Sequence, residues 1–170
     1  MPLLLIANGP MPTTSGFAKV ATGTSAKTML QVKPSATLIA KIVEWGCSFD
    51  GFAAALPGIV ELIETDVAAT VTACVAADIT KVDGDALMCG DVTTNLVQVG
   101  TTSTGYTSSN EGSIAAVRNL DGPQLIAPTN QFFKQFPLGN EPVIQVGKFA
   151  RIRMTFGTSV NAFCYMLLKI

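Results

Sequence analysis

The sequence predicts an all-β protein: a β-sandwich, jelly-roll-like, with an extended N-terminal arm. Eight to ten short runs rich in branched and aromatic residues follow one another, bounded by Gly, Pro, Asp and Asn. All of them fall within 170 residues, the length of one domain, and eight strands in two sheets is the jelly-roll count. The first 27 residues stand apart. Pro2, Pro10 and Pro12 with Gly9, Gly16 and Gly23 break any helix there, and Lys19 is the first charged side chain. The expected division is an arm over residues 1–27 and a single sandwich domain over 28–170. No repeat of solenoid period is visible.

In the arm, Leu3, Leu4, Leu5, Ile6 and Phe17 are costly to leave in water, at ~1.5–3 kcal/mol per large side chain. They are expected to dock on a partner or a neighbouring subunit; the alternative is a frayed terminus. Thr28–Val32 predicts a strand ended by Lys33-Pro34-Ser35. Leu38–Trp45 is the next, apolar on both faces and therefore expected to be central, and Gly46 stops it. Phe49-Asp50-Gly51-Phe52 is a turn, and Ile59–Thr65 a third strand. Asp66–Ala77 is ambiguous: its branched residues favour a strand and its alanines a short helix. Asp83-Gly84-Asp85 predicts a turn, Leu96–Val99 a short strand, and 100–112 a polar, nearly uncharged loop.

Ser113–Leu120 predicts a strand closed by Asp121-Gly122-Pro123. Asn130–Phe136 follows, closed by Pro137-Leu138-Gly139-Asn140, and then Pro142–Val146. The end of the chain gives the clearest hairpin pattern, Lys148–Phe156 and Val160–Ile170 around Gly157-Thr158-Ser159. In its last strand Ala162, Cys164, Met166 and Leu168 oppose Phe163, Tyr165 and Leu167. A strand this apolar on both faces is expected to be hidden twice, once by the core and once by something else.

Charge is scarce. Eleven basic and twelve acidic residues make 14% of the chain, against roughly 25% in an ordinary soluble domain, and His is absent. Hydrophobic residues are 48% and mean hydropathy is +0.42. Either the surface is Thr/Ser/Asn-polar or partners cover much of it. A net charge of -1 with this hydrophobicity excludes disorder, and a pI near 5.3 argues against nucleic-acid binding. No run reaches the ~18 apolar residues of a membrane helix. Met1–Ala7 lacks a basic n-region and is expected to be mature protein rather than a signal peptide.

The same composition narrows the chemistry. Without His there is no Ser–His–Asp or Cys–His mechanism and no His-containing zinc site. Cys47, Cys74, Cys89 and Cys164 form no CxxC, lie among apolar or small residues, and are expected to be buried free thiols. No GxGxxG, Walker A or EF-hand loop is present, so no cofactor or metal is expected. Asp83, Asp85 and Asp91 are better turn formers than calcium ligands. Glu44 and Glu61 could pair across a sheet as hydrolase carboxylates, but isolated strand glutamates are usually solvated or ion-paired. Trp45 is most simply a core anchor. Arg151 and Arg153, on one face of an apolar strand, could meet acidic groups across an interface or form a solvated face.

Several segments resemble a known family. Val43-Glu44-Trp45-Gly46-Cys47-Ser48-Phe49-Asp50-Gly51 and Ile63-Glu64-Thr65-Asp66-Val67-Ala68-Ala69-Thr70 are similar to segments of tailed-bacteriophage structural proteins. So are Thr104-Gly105-Tyr106 leading to Glu111-Gly112-Ser113, Pro137-Leu138-Gly139, and Lys148-Phe149-Ala150-Arg151-Ile152-Arg153. These span about residues 22–170. The family is that of capsid decoration (cement) proteins, auxiliary head proteins that resemble jelly rolls and bind as trimers outside an icosahedral shell. One departure is near Cys74, where the family pattern has a more polar residue.

The resemblance implies a virion structural protein, not an enzyme, on the capsid exterior after assembly in the host cytoplasm. It implies a homotrimer that bridges capsomers, with the major capsid protein as partner and neither nucleic acid nor membrane contacted directly. The interface residues expected from the sequence are Leu3, Leu4, Leu5, Ile6, Phe17, Arg151, Arg153, Phe163, Tyr165 and Leu167. The alternatives are a head-fibre or tail component and a carbohydrate-binding, lectin-like sandwich using loop 100–112 and Tyr106.

Overall fold

The computed structural model describes residues 2–52, 54–83, 96–113 and 117–170. Cys89, Gly84, Asp85 and Asp91 lie outside the described residues, as do positions 114–116 of the strand expected from Ser113. The described residues form two antiparallel sheets packed face to face, as the sequence predicts.

The first sheet contains β1 (Leu3–Ala7), β2 (Val20–Ala21), β4 (Ala40–Phe49), β7 (Ile79–Lys81), β10 (Gln131–Gln135), β11 (Val143–Ile144) and β13 (Asn161–Lys169). Its order is β10-β4-β13-β1-β7, with β11 also on β4 and β2 also on β13. The second contains β3 (Lys27–Val32), β5 (Gly58–Thr65), β6 (Thr70–Ala73), β8 (Gly105–Asn110), β9 (Val117–Ile126) and β12 (Phe149–Thr155). Its order is β6-β8-β3-β12-β5-β9. Alternation along each strand aims one set of side chains between the sheets. Leu4, Ile6, Ile42, Trp45, Met166 and Leu168 meet Leu30, Val32, Val60, Leu62, Ile152 and Met154 there, all fully buried. Trp45 is the expected anchor, and its indole N–H donates to Asp121 at 2.9 Å.

Gly46 does not stop the second expected strand, since β4 runs on to Phe49, and four larger sequence expectations need correction. The first concerns the arm. Leu3–Ala7 is not an arm but β1, inside the first sheet between β13 and β7. Leu4 and Ile6 face the core at zero exposure, so they are not available to a partner. Three prolines break helices but do not prevent one short strand from pairing. Residue 27 is therefore no boundary, since β2 also pairs with β13. Between β1 and β2 the ladder is continued by a side chain. Asn8 is fully buried, its main-chain N–H donates to the Cys164 carbonyl at 3.0 Å, and its Oδ1 accepts from the Cys164 N–H at 2.9 Å.

The second correction concerns the terminal hairpin. β12 pairs with β3 and β5, and β13 with β4, β1 and β2, so the two arms belong to different sheets. The loop between them crosses the sandwich instead of closing a hairpin. Thirdly, 100–112 is not a loop throughout: Gly105–Asn110 is β8, paired with β3 and β6. Gly105 is required there, because a Cβ would come within 2.3 Å of the Thr72 carbonyl oxygen. Fourthly, β9 runs through Asp121-Gly122-Pro123 instead of stopping. The register shifts at that point, and β9 is the sheet edge, where a proline breaks no ladder bond. The ambiguous 66–77 stretch resolves into a crossing segment, β6 and a 3₁₀ turn at Ala76–Asp78.

Candidate interaction surface

β4, β13 and β1 are neighbours in the first sheet, so their outward side chains form continuous rows. One row reads Phe133, Gly46, Tyr165 and Ala7 across β10, β4, β13 and β1. The next reads Gln135, Glu44, Leu167, Leu5 and Thr80. Beyond it Leu3 is paired with Lys169, and on the other side Ser48 with Phe163. The face is mainly apolar and its β13 side chains are half-buried; Phe133 is 66% exposed.

Gly46 shapes the centre of this face. A Cβ on it would lie 2.9 Å from both the Phe132 carbonyl oxygen and Cε1 of Tyr165. The missing side chain lets the tyrosine ring lie across β4, where its hydroxyl donates to Glu44 Oε1 at 2.5 Å. Burial, then the neighbouring carboxylate, pushes the Tyr165 phenol up from its ordinary value. The pair is therefore a fixed structural contact at neutral pH.

Part of the cover for this face comes from the same chain. Residues 9–19 leave the sheet after Asn8, and the Met11 N–H donates to Asp78 at 3.0 Å. The segment then turns back so that Phe17 packs at a tilt against Phe163, centroids 4.9 Å apart at 55°. Lys19 closes it with a 2.5 Å ion pair to Asp50, and that bond lowers the Asp50 carboxyl below its usual value.

Of the residues singled out from the sequence, Leu3, Leu5, Phe17, Phe163, Tyr165 and Leu167 thus gather on one side of the molecule. Leu4 and Ile6 are core. The arginines lie on the second sheet and find their acidic partners inside the chain. Arg153 Nε donates to Glu61 at 2.5 Å. Arg151 is fully buried and donates to the Glu111 carbonyl at 3.1 Å, to Glu111 Oε2 at 3.5 Å and to the Val67 carbonyl. Burial lowers the Arg151 pKa, and Glu111 opposes that shift. Neither the interface nor the solvated reading holds for Arg151, because the chain from Asp66 to Ala69 crosses over it. Gln31 pins the same crossing segment, with its Oε1 accepting from the Ala69 N–H at 2.8 Å.

The two strand glutamates also separate. Glu44 lies on the first sheet with Tyr165, and Glu61 on the second with Arg153, so they do not share a cleft. Tyr106, expected on a sugar-binding loop, is instead a β8 residue half-buried against the core. Among the described residues no three His, Cys, Asp or Glu side chains gather as a metal site. Sequence reasoning missed Phe133 and Gly46. The alternation Gln131, Phe133, Gln135 was the available signal for the first; nothing local marked the second. No protein family, curated protein or solved structure gives a match to this chain.

Proposed function

We propose that the protein is a structural subunit: a capsid decoration (cement) protein that binds the outside of a phage head as a homotrimer and bridges capsomers. The observation that carries this reading is the apolar outer face of the first sheet, where Phe133, Tyr165, Phe163, Leu167 and Leu5 lie side by side around Gly46. A second copy of the chain is its occupant. Heterologous contacts of this kind close into a ring around a threefold axis, and a stable contact needs roughly 800 Å² from each partner.

The winding of the strands supports the same reading. With β2 counted with β1 and β11 with β10, and β6, β7 and β8 set aside, eight principal strands remain. Their orders are first-eighth-third-sixth and second-seventh-fourth-fifth. That order is compatible with a jelly roll, the architecture shared by many capsid and lectin domains.

The test is the mass in solution and binding to empty phage heads. The wild-type chain is expected to be a trimer that occupies heads. Phe133→Glu changes an exposed side chain, so it should keep the melting temperature within a degree or two yet weaken both assembly and head occupancy at least tenfold. A stable monomer with no affinity for heads would overturn the proposal.

A further inference from the structure

Cys47 on β4 and Cys164 on β13 stand directly opposite one another in the ladder. Both point into the core, at 3% and 0% exposure, and both are free thiols. Opposed residues in an antiparallel pair are of two kinds, and the closer kind exchanges no main-chain hydrogen bonds. Cys164 belongs to the closer kind. Its N–H is donated to Asn8 Oδ1 at 2.9 Å and its carbonyl accepts the Asn8 N–H at 3.0 Å. Both groups therefore face β1, away from Cys47. Such pairs have Cα atoms about 4.5 Å apart, within the roughly 4.4–6.8 Å that a disulfide spans.

We propose that Cys47 and Cys164 are an oxidation site, forming a cross-strand disulfide that staples the last strand of the chain to β4 when the protein passes into an oxidising thiol–disulfide medium. The oxidant is a small-molecule disulfide. One protein thiolate attacks it, forming a mixed disulfide and releasing one small thiolate. The second protein thiolate attacks the protein sulfur of the mixed disulfide, forming the Cys47–Cys164 bond and releasing the second small thiolate. Two protein thiols are oxidised, one small disulfide is reduced to two thiols, and the two protons move to the released thiolates.

Burial governs when this happens. It pushes Cys47 up to about 12 and Cys164 well above the ordinary thiol value, so thiolate is scarce in the closed sandwich. Exchange therefore proceeds while β13 is not yet seated on β4, during folding or transient opening. A reducing compartment keeps both thiols free. Among the described residues Cys74 has no cysteine opposite it: its strand neighbours pair with Gly105 and Tyr106 on β8. This inference does not depend on the function proposed above.

The experiment refolds the full chain from denaturant in reduced and oxidised glutathione, unfolds it again to block the remaining thiols with N-ethylmaleimide, and maps the peptides by mass spectrometry. The expected result is a linked pair of peptides holding Cys47 and Cys164 that dithiothreitol separates. The oxidised form should melt on the order of 5–15 °C above the reduced one. A Cys74→Ser/Cys89→Ser variant should keep the linkage, and Cys47→Ser should lose it. Full alkylation of both thiols in the refolded wild-type chain, or pairing of Cys47 with another cysteine, would overturn the assignment. A linked form that melts no higher than the reduced one would overturn the staple. The wild-type map decides the question even if a variant fails to fold.

Discussion

Arg151 shows what one side chain does when the chain passes over it. A guanidinium at zero exposure is tolerated because the carbonyls of Val67 and Glu111 and the Glu111 carboxylate accept hydrogen bonds from its two terminal nitrogens, while its Nε is left without a partner. Glu111 is itself held by the Thr28 N–H at 2.5 Å, the Thr28 hydroxyl at 2.6 Å and the Ser108 hydroxyl. Arg151→Met would take their donor from the Val67 and Glu111 carbonyls and the cation from beside the Glu111 carboxylate, and is expected to cost about 2–4 kcal/mol, read as a lower urea midpoint. Arg151→Met combined with Glu111→Gln should cost less than the sum of the two single changes, by on the order of 1 kcal/mol. Strict additivity would show that the pair is not coupled. The alternation of β12 makes it legible that Arg151 and Arg153 point away from the core. Their partners were not legible, because Glu111 and Glu61 lie 40 and 92 residues away in the chain.

Strand alternation reports which face of an element is buried, and nothing in it names the neighbour. That limit explains both the correct expectations and the failed ones at the level of elements. β3, β5 and β10 sit close to their predicted spans because branched residues and turn signals bound them locally. The terminal pair was equally well patterned, yet a short loop serves a hairpin and a crossing between sheets alike. β1 failed differently, since its short apolar run suits a docking arm and an inner strand equally well. Its place between β13 and β7 makes a sharp prediction: removing residues 2–7 exposes the flanks of two strands and takes Leu4 and Ile6 from the core. That loss is comparable with the whole stability of a domain, about 5–15 kcal/mol. The truncated chain should show no cooperative thermal transition. Phe17→Ala, by contrast, removes one ring contact on the outer face and should cost only about 0.5–1.5 kcal/mol. Equal stability of the two variants would remove β1 from the core.

Scarce charge has a consequence for the molecule as a whole, because the thiols and phenols of the described residues are buried or half-buried in neutral form. Burial pushes Cys47 and Cys74 up to about 12 and holds Cys164 well above the ordinary thiol value; it also raises Tyr106 and Tyr165. All five are acids whose folded pKa lies above the unfolded one. Between the two values the native state holds protons that the unfolded chain has released, so stability falls as pH rises. The contribution is intact below about pH 8.5, where unfolded thiols begin to ionise, and is lost progressively above it. At pH 10 each buried thiol should account for on the order of 1–2 kcal/mol of lost stability. The reduced protein is therefore expected to melt at falling temperature from pH 8 to pH 10.5. Tyrosinate absorbance should rise only when the chain unfolds, not in a step near pH 10. Replacing Cys47 and Cys164 together by alanine, which cannot ionise, should flatten that decline even where it lowers stability at neutral pH. A melting temperature unchanged from pH 8 to pH 10.5, or an early tyrosinate step in the folded protein, would mean that the core is open to hydroxide and that the thiols and phenols are not held as the sandwich places them.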